Sequence, residues 1–400
     1  MSAVSEDNAD PGTILVALGE DYPEIRASVR RICAGFPMEY WRELDAREGY
    51  PLEFVRALTE SGFLSALIPA EYGGADLPLR AASVILEEIH ACGCSATACH
   101  AQMYIMGTLL RHGSVEQKKR WLPGIASGEL RLQAFGVTEP STGSDTTKLK
   151  TRAVRRGDRY IVNGQKVWTS RALHSDLMLL LARTTALDQV RRKTDGLSVF
   201  VVDIREARGK GLEIRPLKAM VNHNATEVFF DDMEVPAGNL IGEEGKGFRY
   251  ILDGLNAERV LAASESIGDG RWFVGKATSY AADRVVFDRP IGQNQGIQFP
   301  IARAHCEIEA ADMMVRRAAA LFGANRDCGA EANMARLLAA EAAWHAAEAT
   351  VQTYGGFGFA REYDIERRWR EARVPLVAPI SVNLILAYVA QHVLGMPRAY

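Results

Sequence analysis

Long apolar runs are missing from this 400-residue chain, and so is any large imbalance of charge. No stretch reaches the ~18–20 apolar residues that a membrane-crossing helix needs, so no membrane span is expected. Lys and Arg number 47 against 50 Asp and Glu, a formal net charge of −3. That leaves no basic excess for nucleic acid or an anionic membrane. Cysteine is sparse, with six residues: Cys33, Cys92, Cys94, Cys99, Cys306 and Cys328. A chain of this size needs no disulfides, and reduced thiols in a cytoplasmic protein are expected. There is no internal repeat and no low-complexity segment. The opening, MSAVSEDNADPG, is acidic and polar, unlike a secretory signal. Residues 1–19 are expected to form a disordered tail.

Familiar catalytic signatures are missing too. There is no G-x-S-x-G, no H-E-x-x-H and no convincing Ser/His/Asp arrangement. The stretch from Gly242 to Gly247 lacks the Lys-Ser/Thr ending of a phosphate loop. Gly355-Gly356-Phe357-Gly358 precedes no βαβ unit and is not a dinucleotide fingerprint. HACGCSATACH gathers His90, Cys92, Cys94, Cys99 and His100. Zinc sites usually pair ligands as C-x₂₋₄-C with a second pair at a distance, which this stretch lacks. It reads as a helix with small packed side chains, and no metal is expected.

What is present is a clear order of textures. DYPEIRASVRRIC, PLEFVRALTESGFL and LRAASVILEEIHAC carry apolar residues at helical spacing. Ser114, with Glu116 and Gln117 behind it, reads as a helix start. Near residue 131 the chain turns to short runs rich in Val, Ile, Phe and Thr: RYIVNGQKVWTS, DLMLLLART, LSVFVVDI and TEVFFDDMEVP. Asn163-Gly164 predicts a two-residue hairpin turn. From about 241 helical texture returns, first as one long pattern or two, then as Ala-rich helices. The fold class expected is α+β, with helices at 20–130, a β region at 131–240 and helices at 241–400.

One loop stands out where helix gives way to strand: Val137-Thr138-Glu139-Pro140-Ser141-Thr142-Gly143-Ser144-Asp145. It concentrates hydroxyls and bare backbone that can offer donors to a phosphate or a ring edge. Trp168-Thr169-Ser170 follows at the end of a strand, an aromatic face beside two hydroxyls that suits a planar heterocycle. Each alone also reads as a polar turn or a buried Trp. Together with IPAEYGG, IGEEGKGF, RVVFDRPIGQNQGIQFPIA and QTYGGFGFAREYDIERRWREAR, they resemble the acyl-CoA dehydrogenase family, in the right order from about residue 20 to 400.

The resemblance implies a helical N-terminal domain, a middle β-barrel or sandwich domain and a C-terminal four-helix bundle that assembles a homotetramer. It implies FAD, an acyl-CoA substrate and electron-transfer flavoprotein as acceptor. Phe135, Val137, Thr138, Gly143 and Ser144 fall where the family lines the flavin and its phosphates, and Trp168, Thr169 and Ser170 on its flavin-edge motif. Arg284, Phe287 and Gln295 match an element that meets the FAD of a neighbouring subunit. Gln352, Gly355 and Gly356 match the turn near the adenine, and Ser381 and Asn383 also fall on cofactor positions. Ser144, Asn256 and Arg259 fall on substrate positions. Asp288 replaces the Gly usual after the motif Phe.

Dehydrogenation of an acyl thioester needs a base at Cα, a hydride acceptor for Cβ and donors to the carbonyl oxygen. In the resemblance, the commonest base position falls on Pro379, which cannot serve. A branch that includes isovaleryl-CoA dehydrogenases takes its base from a helix Glu just before an Arg, and Glu258 with Arg259 matches it. The reading is an α,β-dehydrogenase of a short or branched acyl-CoA with Glu258 as base. The alternatives are a flavoprotein of the same fold that acts as a desulfinase or lyase, and an inactive acyl-CoA-binding protein.

Overall fold

The computed structural model describes residues 21–398, so the expected tail at 1–19 lies outside the described residues. Six helices open the fold: α1 (Pro23–Ala34), α2 (Met38–Ala46), α3 (Leu52–Glu60), α4 (Leu79–Ala91), α5 (Thr97–His112) and α6 (Val115–Ser127). The start of α6 is a full capping box: Ser114 Oγ accepts from the Gln117 N–H, and the Gln117 side chain accepts from the Ser114 N–H. HACGCSATACH is not one helix. The chain leaves α4 at Cys92, turns at Gly93 with φ of +82° and re-enters helix at Thr97. Glycine makes that left-handed step without a Cβ penalty.

Eight strands follow: β1 (Leu132–Gly136), β2 (Arg152–Arg156), β3 (Arg159–Ser170), β4 (Leu177–Arg183), β5 (Leu197–Asp203), β6 (Leu212–Pro216), β7 (Ala225–Pro236) and β8 (Leu240–Ile241), with a short helical turn, α7 (Ile204–Ala207), after β5. They form one mixed sheet in the order β6-β7-β3-β2-β4-β5-β8, with β1 parallel to β4. Alternation along β4 explains why that strand reads as uniformly apolar. Leu177, Leu179 and Leu181 enter a core shared with Ile105, Leu109 and Trp121 of the helices. Met178, Leu180 and Ala182 enter the core on the other face, with Tyr160, Phe200 and Phe230.

The hairpin expected at Asn163-Gly164 lies elsewhere. The turn falls at Gly157 and Asp158, between β2 and β3, while β3 runs unbroken through Asn163. Gly164 instead borders a bulge, where Asp231 and Asp232 of β7 oppose Asn163 and the register shifts. Its φ is +147°, and a Cβ there would sit 2.6 Å from Thr151 Oγ1. A positive φ inside a strand is a bulge signal as much as a turn signal, and the sequence pair alone does not separate them.

The last part is helical around a two-stranded ribbon: α8 (Gly247–Asp283), β9 (Val285–Val286), β10 (Arg289–Pro290), α9 (Gln295–Gly323), α10 (Gly329–Tyr354), α11 (Ile365–Arg373) and α12 (Val382–Tyr388). The long pattern after 241 is thus a single helix. Buried Ala335, Ala339, Ala342 and Ala346 give α10 a thin face. Phe54, Ile85 and Ile89 of the first helices share one core with Leu261, Phe273, Ile308 and Val315 of the last. At Gly268 the contact of α8 with α4 is so close that a Cβ would overlap the Glu87 carbonyl oxygen. No helix among the described residues is long and apolar enough to cross a membrane.

Candidate active site

The Val137–Asp145 loop is held by a buried ion pair. Lys166, fully buried on β3, gives its ammonium to Glu139 Oε1 at 2.9 Å and to the Val137 carbonyl at 3.0 Å. Glu139 also accepts from the Lys150 and Thr151 N–H groups at 2.6 and 2.8 Å. Burial pulls the Lys166 ammonium down to about 8, and Glu139 opposes that fall. The Val167 N–H donates to the Thr138 carbonyl at 2.9 Å, which ties this loop to the Trp168 segment. The structure therefore brings Phe135, Val137, Thr138 and Trp168–Ser170 together at one sheet end.

That end has the donor set of a heterocycle site. Trp168 sits at φ of +61° with 57% of its surface exposed, although it lies on a central strand. The buried Thr142 and Thr169 hydroxyls have no hydrogen-bond partner among the described residues. Buried hydroxyls are rarely left so. An uncovered indole ringed by unused hydroxyls fits the flavin of FAD. Gly143 and Ser144 lie on the exposed rim of the loop.

Arg284, Phe287, Gln295, Gln352, Gly355 and Gly356 form a second group at the ends of α8 and α10. The Arg284 guanidinium lies over the Phe357 ring at 5.8 Å, and Phe287 is 93% exposed at φ of +51°. No hydrogen bond joins this group to the strands among the described residues. Ser381 caps α12, accepting from the Leu384 N–H at 3.4 Å, and Asn383 is exposed beside it.

Glu258 stands in the first half of α8, only 1% exposed, and neither carboxylate oxygen has a hydrogen-bond partner among the described residues. Burial raises its pKa, against the pull of His100, Arg336 and Arg259. Arg259 donates to Asn256 Oδ1 at 2.8 Å, and its Nε is buried without a partner. Arg336, on α10 and 2% exposed, fixes the segment that holds Pro379. Its Nη2 donates to the Pro375 carbonyl at 2.7 Å and the Ala378 carbonyl at 2.9 Å. The Ile380 N–H makes no backbone hydrogen bond.

Several groups here were not singled out in the sequence as site residues. Arg171 follows Ser170, is 9% exposed and has an unpartnered Nε. Burial lowers its pKa, opposed by Tyr104, Tyr50 and Glu265. His100 and His90, gathered in the sequence only as conceivable metal ligands, face carboxylates of α8. No cluster that could hold a metal exists among the described residues. Orphaned buried polar atoms thus collect around Glu258, with His100 Nε2, Arg259 Nε and Arg336 Nη1 among them.

Three family models match successive parts of the chain: the N-terminal domain of acyl-CoA dehydrogenases over residues 19–129, the middle domain over 134–233 and the C-terminal domain over 245–378. The acyl-CoA dehydrogenase FadE12 of Mycobacterium tuberculosis is 35% identical over 386 residues, 95% of this chain and 98% of that protein. Cyclohex-1-ene-1-carbonyl-CoA dehydrogenase of Syntrophus aciditrophicus is 35% identical over 335 residues, 83% of this chain and 80% of its own. Among solved structures, an acyl-CoA dehydrogenase from Geobacillus kaustophilus superposes with a TM-score of 0.86 at 30% identity, covering 92% of this chain and 96% of the other.

Proposed function

Because the chain belongs to the acyl-CoA dehydrogenase family, an FAD-dependent oxidoreductase family that converts acyl-CoA to enoyl-CoA, we propose that its substrate is a short or branched acyl-CoA and that Glu258 is the base. The observation that carries the reading is the Glu258 carboxylate itself, buried and with both oxygens free. Position 379 cannot compete, because proline has no acidic or basic side chain. A short or branched acyl group is supported by what lies beyond Glu258. His100, Tyr104 and Glu265 close that direction, with Glu265 two helical turns, ~10 Å, further along α8. A long alkyl chain would have to displace charged groups there.

When bound, the flavin supplies the hydride acceptor for Cβ. The protein does the rest. Glu258 removes the α-proton, and its dry surroundings keep the carboxylate basic. Arg259 and Asn256 bind the acyl-CoA beside it. Pro379 has no N–H for the thioester oxygen, and the free Ile380 N–H serves in its place on a segment that Arg336 holds. Phe135, Val137, Thr138, Gly143, Ser144 and Trp168–Ser170 hold the flavin of their own chain. Arg284, Phe287, Gln295, Gln352, Gly355 and Gly356 meet that of a neighbour in a homotetramer, and electrons pass to electron-transfer flavoprotein. The free thiols suit a reducing, cytoplasmic setting.

An anaerobic titration of the yellow holoenzyme against acyl-CoAs of rising length and branching tests this. Short and branched thioesters should bleach the flavin and yield the enoyl-CoA, with long straight chains at least ~10-fold slower, the scale of poor hydrophobic fit. Equal or faster bleaching by a long straight chain would overturn the substrate class.

A further inference from the structure

Glu258 does not stand alone on α8. Glu265 and Asp269 follow on the same helix, and a histidine from each of two other helices meets them. His100 Nδ1 lies 3.1 Å from Glu265 Oε2, and its Nε2 lies 3.9 Å from Glu258 Oε1. His90 Nδ1 lies 2.8 Å from Asp269 Oδ1, and its Nε2 lies 3.6 Å from Glu265 Oε1. Arg368 of α11 closes the row on Asp269 and Glu371. The close crossing at Gly268 is what lets α4 reach these carboxylates.

The bonding in this row is lopsided. Glu265 carries both histidine contacts, and burial works against its charge, yet His100 and His90 hold it well below the usual carboxylate range. Glu258 has no hydrogen bond, and His100 Nε2 is buried and equally unpartnered. The other groups facing this pair are Tyr104 from α5, whose ring centroid is 5.1 Å from that of His100, Arg336 from α10, and Arg259 of α8 itself. Arg171, His223 and Cys99 complete the charged and titratable surroundings of Glu265. A buried carboxyl with no donor near it prefers its neutral form, which cannot take an α-proton.

We propose that His100 is the positioning residue for the base: with its Nδ1–H committed to Glu265, a proton on Nε2 keeps Glu258 ionised and aimed. The inference rests on the reading of Glu258 as the base. The 3.9 Å separation is an apo distance that closes to a hydrogen bond when substrate excludes water, as catalytic contacts commonly do. Both ring nitrogens carry protons in this arrangement, and Glu265 acts through the ring by holding Nδ1–H and so fixing the orientation that turns Nε2 toward Glu258.

The test is the pH profile of flavin reduction in anaerobic stopped flow, on the FAD-loaded parent, His100→Phe, His100→Gln and Glu258→Gln. His100→Phe removes both charge and hydrogen bond, so the midpoint should rise by about one pH unit or more. Its rate near neutrality should then fall about tenfold, recovering at alkaline pH. His100→Gln keeps a donor and should shift the midpoint less. The carboxylic C=O stretch lost in Glu258→Gln should report the same upward shift in infrared difference spectra without turnover. A midpoint and a stretch unmoved in folded His100 variants overturn the proposal, and should His100→Phe fail to load flavin, an unmoved His100→Gln does so alone. If Glu258→Gln reduces its flavin at the parent rate, the base reading falls and the proposal with it. Loss in Glu258→Gln beside unmoved His100 variants overturns only the role of His100.

Discussion

A buried carboxylate without hydrogen bonds costs the fold stability, and the cost at Glu258 has a sign that can be measured. Its pKa is raised above the ordinary 4.5 by burial. The unfolded chain therefore holds fewer protons at this site than the native one once pH passes ~4.5, and stability falls as pH rises toward the folded value. Glu258→Gln keeps the shape and cannot ionise. It should melt higher than the parent at neutral pH, with the gap closing near pH 4. The same variant should keep FAD and bind acyl-CoA, yet lose flavin reduction by roughly three orders of magnitude or more, the scale of a missing general base. A variant that melts lower than the parent at every pH would contradict the stability argument. Glu258 was legible only through the family resemblance, whose usual base position falls on Pro379 and whose helix alternative falls on Glu258. His100 was not legible. Its partner Glu265 is 165 residues away in the chain, and in sequence the imidazole keeps company only with cysteines.

Helices and strands were read mainly from periodicity, and the departures fall where a glycine changes the backbone's direction. Gly93 and Gly164 both sit inside patterns that continue on each side. The first ends a helix and the second only bulges a strand, a difference set by what lies across from them. Thr151 stands opposite Gly164, so Gly164→Ala meets both a positive φ and a crowded neighbour. It should destabilise by about 1–3 kcal/mol, read as a drop in melting temperature. The bulge lies just before Lys166, the residue that anchors the Val137–Asp145 loop through Glu139. Glu139→Gln leaves the buried ammonium without its counter-charge. Breaking one partner of such a pair costs about 3–5 kcal/mol, and here the loss should appear chiefly as slackened loop and FAD released on dilution. Retained FAD with unchanged stability would show that the loop is held by something else. The loop itself was legible as a run of hydroxyls. The ion pair beneath it was not, because Lys166 reads as one more polar residue on an alternating strand.

At the scale of the whole molecule, the two groups proposed to meet the cofactor pose a geometric question that one chain does not answer. The Trp168 group carries unpartnered hydroxyls and an uncovered indole at the sheet end. The Arg284 group sits where α8 and α10 end and α9 begins, with Arg284 over the Phe357 ring. It also exposes large apolar side chains: Phe287 at 93%, Phe359 at 75%, Phe299 at 59% and Val285 at 56%. Exposed aromatics gathered in one region mark a surface that another protein covers. The homo-oligomer proposed above would resolve both problems, because a closed symmetric assembly would bury that surface and let one subunit's Arg284 reach the next subunit's flavin. Arg284→Ala should therefore lower FAD affinity at least tenfold while the far-ultraviolet spectrum stays that of the parent. Phe287→Asp places a charge in the covered surface and should shift the assembly toward smaller species in sedimentation, with FAD lost in the same fractions. The two losses must go together. An Arg284→Ala tetramer that keeps its flavin, or a Phe287→Asp monomer that stays yellow, would mean that each chain binds FAD by itself and that the Arg284 group has another purpose.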